Sequence, residues 1–309
     1  MKKLFIALIL SFGLALFSQT YVSAQTAPNG VSVSPSIAYI DLAKDPPQYS
    51  LTYTNNTNSD ITLDLSVKDF SELENGYRID FLQGQSASNY KYGLSSWISF
   101  ENNQLELSPH ESQSVTVFID KNRITKGGHY ASILAEIAQP DIKQQVGVKA
   151  VLSSLLFVRA ATGQEIEEGS IYAFGQDQNG LGYPTSYFLR FQNSGNVYVI
   201  PYGYIEVYGP LGNLVGKGIV NENSLVALPE SIRDYDINIK NYQNFLLPGT
   251  YTAKLYVHFG KTDKKLYSSV KFLSQGSFDF GEMAILIILF AALIVIYRKK
   301  FVKHATNSS

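Results

Sequence analysis

The residues of this chain that could carry out acid–base chemistry are few, and the best spaced of them are two carboxylates. Asp234 and Asp236 flank Tyr235, and on a β-strand this spacing puts both side chains on one face. Such a pair can bind a cation or act as general acid and base. A solvated strand face has the same pattern, and we favour that interpretation. The segment Asp177–Gly180 matches the start of a calcium loop, but the later ligands are missing, which indicates a polar turn.

Other catalytic and metal-binding patterns are missing from the sequence. The four histidines lie far apart, at His110, His129, His258 and His304. No HExxH, GxSxG or glycine-rich phosphate loop is present. There is no cysteine, so disulfides and cysteine-ligated metals are excluded. We therefore predict no enzymatic activity, no cofactor and no metal. A carboxylate-dependent glycan hydrolase that uses Asp234 and Asp236 is the minor alternative.

The single tryptophan, Trp97, could form an exposed platform for a sugar ring or belong to a core. Its apolar neighbours Leu94, Ile98 and Phe100 favour the core. The segment Asn55–Thr57 has the glycosylation consensus, which is too frequent by chance to be informative.

Length and composition suggest two domains rich in strands. The chain has 309 residues, and 13% of them are aromatic, with 21 Tyr and 18 Phe. Two of the 25 basic residues lie in the first 24 positions and four lie after Tyr297, whereas all 26 Asp and Glu lie between. The middle of the chain therefore carries a net charge of about −7, which argues against a nucleic-acid partner.

The two ends of the chain have the patterns of export and membrane anchoring. Lys2 and Lys3 precede an apolar run and the small residues Val22–Ala24, so we predict a signal peptide over 1–24, with an uncleaved anchor as the alternative. The segment Met283–Tyr297 contains no charge, and four basic residues follow it. We predict a transmembrane helix over 278–297 and a cytoplasmic tail over 298–309. A buried core helix is the alternative.

The exported part has the alternation of strands separated by turns. We predict an all-β fold of two tandem immunoglobulin-like β-sandwiches, over 25–159 and 160–275. The acidic residues Glu165, Glu167 and Glu168 are assigned to the linker. A strand interrupted by Pro201 and Gly203 is predicted over Val197–Tyr208, and another strand closes the first domain over Val146–Val158.

The two halves repeat the same order of elements. Asn55 and Asn193 begin equivalent turns 138 residues apart, whereas Tyr130 and Tyr251 begin equivalent strands 121 apart. The first copy is therefore longer by about 17 residues, which we place within Ser71–Trp97.

The segment Leu247–Thr250 resembles most of a sortase signal, but Tyr251 stands where that signal needs glycine. The alternating residues of Tyr251–Phe259 predict a strand, with Pro248 and Gly249 as the turn before it. Tyr251 is also placed to make a tyrosine-corner contact with nearby backbone.

Several segments carry a resemblance to known families. In the first domain these are Val33–Leu42, Ser50–Val67, Leu105–Ile119 and Lys126–Ile137. In the second they are Phe191–Asn196, Ala227–Arg233 and Leu247–Leu255. With the signal, the span and the basic tail, this order resembles the WxL-interacting proteins of Gram-positive bacteria. The first domain is also similar to the pilus-chaperone type of sandwich.

The resemblance to WxL-interacting proteins implies peptidoglycan binding by the first domain and binding of a surface protein by the second. We therefore expect a non-catalytic, single-pass protein of the bacterial cytoplasmic membrane. Its extracytoplasmic domains would bind a cell-wall polymer, peptidoglycan, or another envelope protein. The alternative is a scaffold or accessory subunit of an envelope complex for secretion, pilus assembly or transport.

Overall fold

The computed structural model describes most of the chain after the predicted signal peptide. Its described residues are 30–72, 79–84, 89–138, 151–160, 162–176, 182–243, 246–261, 263–277 and 280–306. The predicted signal peptide over 1–24 lies outside the described residues, as does the first part of the strand predicted over Val146–Val158.

The described residues of the first domain form eleven strands, nine of them in the two sheets of a sandwich. They are β1 (Val31–Ser34), β2 (Ile37–Asp41), β3 (Gln48–Asn55), β4 (Ile61–Lys68), β5 (Phe70–Glu72), β6 (Ile79–Phe81), β7 (Ile98–Phe100), β8 (Gln104–Leu107), β9 (Ser112–Ile119), β10 (Gly128–Ile137) and β11 (Val151–Arg159). One sheet has the order β1-β3-β9-β7 and the other the order β2-β11-β10-β4-β8. β2 runs parallel to β11, and the chain passes from one sheet to the other between β1 and β2.

Alternation of apolar residues builds the core between these sheets. Leu51 and Tyr53 of β3 face Leu63 of β4, and all three are nearly inaccessible to solvent. The region Ser71–Trp97, in which the sequence predicted extra residues, contributes β6, which pairs with β5, and a short 3-10 helix at Ser95–Trp97.

In the part of the second domain that the structure describes, eight strands form a sandwich. They are β12 (Gly169–Gln176), β13 (Ser186–Asn193), β14 (Tyr202–Tyr208), β15 (Leu214–Val220), β16 (Ser231–Asn238), β17 (Lys240–Asn241), β18 (Gly249–Phe259) and β19 (Lys264–Ser274). The sheets have the orders β12-β13-β16 and β17-β15-β14-β18-β19. The prediction of all-β, immunoglobulin-like sandwiches is confirmed.

Two local predictions concern the second sandwich. The Tyr251 hydroxyl donates to the Leu247 carbonyl, as the tyrosine-corner prediction requires. The interruption predicted at Pro201 is also present, because β14 begins only at Tyr202, whereas Gly203 lies within β14 and does not interrupt it. Pro201 lacks the N–H that a continuous ladder needs, and the preceding segment instead makes one isolated bridge, between Val199 and Ala227.

After the second sandwich, the described residues form the helix α1 (Phe280–Thr306). Within the described part of the chain, no helix combines the length and the apolar character needed to cross a membrane. The transmembrane helix predicted over 278–297 is therefore not confirmed.

Candidate functional site

The two carboxylates singled out by the sequence lie on β16, on the face opposite the buried Tyr235 and Ile237. Arg190 of the neighbouring strand donates from Nε to Asp234 Oδ1 at 2.9 Å. Asp234 and Asp236 border a small polar cavity of about 230 Å³. Because Asp234 already pairs with a cation of its own sheet, the geometry explains this residue as a cross-strand ion pair.

The histidines of the sandwiches are separated in space as well as in sequence. His129 is fully buried, with Nδ1 3.2 Å from the Gly93 carbonyl. Burial lowers its pKa below the ordinary value and keeps the ring neutral. His110 contacts Asn58, and His258 contacts Asp263.

No cluster of three metal-ligating side chains occurs among the described residues. The calcium-loop fragment Asp177–Gly180 lies outside them. The side chain of His304 is not described either.

Trp97 and Asn55 both have structural roles. The Trp97 ring meets the His129 ring edge-on at 4.6 Å and packs against the core of the first sandwich. Asn55 is fully buried, and its amide nitrogen donates to the carbonyls of Leu107 and Ser108. The sequon asparagine is therefore inaccessible in the folded protein.

Two of the repeated motifs, one from each half of the chain, meet where the sandwiches touch. Gly128 donates from its N–H to the Asn196 carbonyl at 2.8 Å. Gly127 has φ +97°, and a Cβ there would come within 2.6 Å of the same oxygen. The Tyr198 N–H donates to the Tyr130 hydroxyl at 2.8 Å. Glycine is thus required for the close approach of the two turns.

Aromatic side chains from both sandwiches fill the junction. The Tyr130 and Phe157 rings of the first sandwich lie 6.2 and 5.5 Å from the Tyr198 ring of the second. Val226 and Leu228 from the second sandwich pack in the same buried cluster. The junction therefore has a small apolar core of its own.

Ion pairs with little solvent exposure surround this apolar core. Arg159 and Glu167 pair at 2.6 Å, with side chains 9% and 10% exposed. Glu72 of β5 pairs with Arg233 of β16 at 2.8 Å and accepts a hydrogen bond from the Ser231 hydroxyl at 2.5 Å. Burial raises the pKa of Glu72, and the hydrogen bonds from Ser231 and Arg233 oppose that shift. Because it pairs with Arg159, Glu167 is a residue of the junction and not merely part of a solvated linker.

A charged cavity of about 470 Å³ opens beside these pairs. Lys261 of the second sandwich bonds to Asp41 of the first at 2.7 Å, and Lys264 donates to the Glu167 carbonyl. Two of the cations that line this cavity, Lys261 and Arg159, are thus paired with carboxylates of the protein itself.

An apolar groove of about 370 Å³ lies on the other side of the junction, between β2 and the segment before β16. Its apolar lining consists of Ile37, Tyr39, Phe70, Ile79, Leu155, Phe157, Leu225, Val226 and Leu228. Three of these side chains are substantially exposed although large and apolar: Ile37 at 44%, Tyr39 at 41% and Leu225 at 41%. Exposed apolar surface of this kind is typical of binding sites.

The backbone beside the groove is an unpaired strand edge. β2 is the outermost strand of its sheet and pairs only with β11 among the described strands. Leu155 donates to the Ser36 carbonyl, and Leu42 donates to the Arg159 carbonyl. Because residues of a parallel strand bond alternately to either side, the N–H and C=O groups of Ile37 and Tyr39 face the free edge. Periodicity alone did not predict this arrangement.

Comparison with known proteins gives matches at the level of structure only. No protein-family model and no curated protein matches the sequence. The chain is similar to the DraB chaperone of E. coli, with 12% identity, a TM-score of 0.36, and coverage of 80% of this chain and 98% of that one. It is also similar to the CupB2 chaperone of Pseudomonas aeruginosa, with 8% identity, a TM-score of 0.38, and coverage of 77% and 98%.

The similar solved structures also include the class 5 fimbriae chaperone CfaA and a chaperone–tip adhesion subunit complex of the Csu pili of Acinetobacter baumannii. The resemblance to WxL-interacting proteins has no support from these comparisons. At these identities and TM-scores, function has to be argued from the residues of this chain.

Proposed function

We propose that this protein is a non-catalytic accessory protein of the bacterial envelope that binds an extended segment of a partner protein. The observation that carries the proposal is the unpaired edge of β2 beside the apolar groove. A peptide that adds a strand to a sheet gains affinity from main-chain hydrogen bonds and specificity from pockets for alternate side chains. β2 offers both features within a few residues.

The groove selects the chemistry of the partner segment. Its walls are mostly aliphatic and aromatic, with Asn223 and Ser224 as polar members, and its charged side chain, Arg233, is already paired with Glu72. A partner strand would therefore place apolar side chains at every second position toward the groove, because successive side chains of a strand point to opposite faces. Charged residues there would lose hydration without gaining a partner.

Substitution at Ile37 separates the backbone contribution from the side-chain contribution. Proline is tolerated on edge strands where the N–H faces outward, so Ile37→Pro should fold but lose one donor at the free edge. Ile37→Ala removes the same side chain and keeps the N–H. Peptides with alternating apolar residues, selected by phage display, should bind the proline variant about three- to tenfold more weakly than the alanine variant. Fluorescence anisotropy measures the difference, and equal affinity would rule out strand addition at β2.

A crosslinking experiment in the native cell identifies the partner. A photoreactive amino acid replaces Leu225 at the groove, and in the control it replaces Leu211, which is 78% exposed outside the groove. A partner that crosslinks from position 225 and not from 211 supports the proposal. Identical products from both positions would count against it.

We also propose that the two sandwiches lie outside the cytoplasmic membrane, with the C-terminus inside. The uncharged run Met283–Tyr297 and the basic residues after it support this orientation. Because the chain has no cysteine, Asn58→Cys and Ser309→Cys each create a unique label site. An impermeant maleimide should label position 58 in cells with permeable outer layers and position 309 only after lysis. Labelling of both before lysis would contradict the orientation.

The absence of catalysis is also part of the proposal. Asp234 is held by Arg190 in the polar cavity, which supports a structural role for this carboxylate. Replacement of Asp234 and Asp236 by asparagine should leave partner binding and the cellular phenotype unchanged. Loss of function in a folded double variant would revive the glycan-hydrolase alternative.

A further inference from the structure

The outer face of the five-stranded sheet in the second sandwich carries a row of tyrosines that the proposed function does not use. Tyr204 of β14 lies directly opposite Tyr256 of β18, which lies opposite Tyr267 of β19. The ring centroids are 4.9 and 5.3 Å apart. Ile219 of β15 is opposite Tyr204 and continues the row. Four large side chains thus cross four neighbouring strands in one line.

This row belongs to the surface and not to a core. The residues that alternate with it, such as Ile205 and Leu255, are fully buried in the sandwich interior. At the two ends of the row, Tyr267 is 57% exposed and Ile219 is 58% exposed. Single exposed apolar residues are normal, but an aligned row forms a continuous apolar platform.

The charge around the platform is positive, in contrast to the rest of the exported chain. From Lys254 to Lys271 there are five lysines and one acidic residue, Asp263, and three of the lysines, Lys254, Lys265 and Lys271, are not bound at the junction as Lys261 and Lys264 are. Lys265 and Lys271 are exposed on the same strand as Tyr267, at positions that share its outward face. Lys217 Nζ lies 4.2 Å above the Tyr204 ring and 3.6 Å from Glu206, a carboxylate of β14 on the same face. A ligand on Tyr256 and Tyr267 would therefore meet the cations of β18 and β19.

We propose that this face binds an anionic polysaccharide built of contiguous pyranose rings that carry carboxylates. The C–H face of a pyranose is apolar and packs on the electron-rich face of an aromatic ring. Strands in a sheet lie about 4.8 Å apart, which is close to the length of one sugar unit. Successive sugars can therefore occupy successive tyrosines, with their carboxylates directed to the lysines.

The geometry favours a polysaccharide over an acidic peptide. A bound peptide strand needs backbone partners at a sheet edge. Here the row crosses the strands at their centre, where the backbone groups of β14 and β18 already bond to neighbours on both sides. The platform offers ring faces and charges, which are the groups that recognise a glycan.

Calorimetry on the full-length protein tests the proposal. The ligand is a galacturonic-acid hexamer, and the neutral control is the fully methyl-esterified form of the same hexamer. The acid form should bind more tightly, and the difference should shrink at high salt because screening weakens the lysine contacts. Tyr267→Ala should weaken binding by about tenfold or more, whereas Tyr267→Phe should keep it, because stacking needs only the ring. Tyr172→Ala is the control, since Tyr172 is also 57% exposed but lies on β12 in the other sheet.

A second variant pair tests the charge. Lys265→Gln with Lys271→Gln should bring the affinity for the acid form down to that for the ester and leave stacking intact. The proposal is overturned if neither glycan binds, if Tyr267→Ala binds as well as the unmodified protein, or if poly-glutamate binds more tightly than the hexamer. The last result would assign the face to acidic peptides.

Discussion

At the scale of single residues, two buried asparagines close equivalent turns in the two sandwiches. Asn55 donates to the carbonyls of Leu107 and Ser108, whereas Asn193 donates to those of Val197 and Ala227. Both side chains are fully buried. Each asparagine therefore ties its turn to a neighbouring segment by hydrogen bonds made inside the protein.

We expect Asn55→Ala to lower the free energy of unfolding by about 3 kcal/mol, since it removes the hydrogen bonds that the buried amide donates and leaves the Thr57 N–H without its acceptor. Chemical denaturation measures this loss. The matched control is Asn56→Ala, because Asn56 is only half-buried and its amide contacts the Ser32 hydroxyl at 3.3 Å. That change should cost less than about 1 kcal/mol. Equal losses at both positions would contradict the role of Asn55.

His129 makes stability depend on pH. Burial holds its folded-state pKa below the ordinary value of about 6.5. The unfolded chain therefore binds a proton at a higher pH than the folded chain does. Stability is complete above about pH 6.5 and is lost as the pH falls toward the lowered folded pKa.

Urea unfolding between pH 7.5 and pH 5 checks this prediction. His129→Gln should reduce the loss of stability between pH 7.5 and pH 5. His110→Gln, at an exposed turn, should leave that loss unchanged. An unchanged slope in His129→Gln would show that another group is responsible.

At the scale of elements, two equivalent strands use their tyrosines differently. Tyr251 of β18 donates to Leu247 within its own sandwich. Tyr130 of β10 instead accepts from the N–H of Tyr198 in the second sandwich. The same residue at the same place in the repeat thus stabilises one turn in one copy and the junction in the other.

Phenylalanine at each position should separate these roles. Tyr130→Phe leaves the Tyr198 N–H without its acceptor, so hydrogen exchange of the Tyr198 amide should accelerate. Tyr251→Phe should leave that amide protected and lower the stability of the second sandwich by about 1 kcal/mol. Faster exchange at Tyr198 in both variants would mean that the junction responds to any loss of stability.

The sequence predicts those elements whose cause is local. The alternation of apolar and polar residues in β3, β4 and β18 correctly predicted which face of each strand is buried. Pro248 and Gly249 correctly predicted the turn before Tyr251. Glu72 and Arg233 could not be paired in advance, because they are 161 residues apart and each looks like an ordinary surface charge in sequence. The groove and the free edge of β2 depend on how the two sandwiches meet, and no periodicity encodes that contact.

At the scale of the whole molecule, the buried pair of Glu72 and Arg233 joins the sandwiches beside the apolar groove. Removal of one partner leaves a charge with little access to water, which costs about 3–5 kcal/mol. We expect Glu72→Ala to uncouple the sandwiches, so that calorimetry gives two thermal transitions where the unmodified protein gives closely coupled ones. Affinity for groove-binding peptides should fall in parallel, because both walls of the groove must be held together.

The exposed pair between Lys91 and Glu230 provides the control, since its side chains are 60% and 56% exposed. Lys91→Ala should cost less than about 1 kcal/mol and leave the transitions coupled. Glu72→Gln combined with Arg233→Met should recover part of the lost coupling, because no unpaired charge then remains at the junction. If the double variant is as uncoupled as Glu72→Ala, the shape of these side chains, and not their charge, holds the sandwiches together.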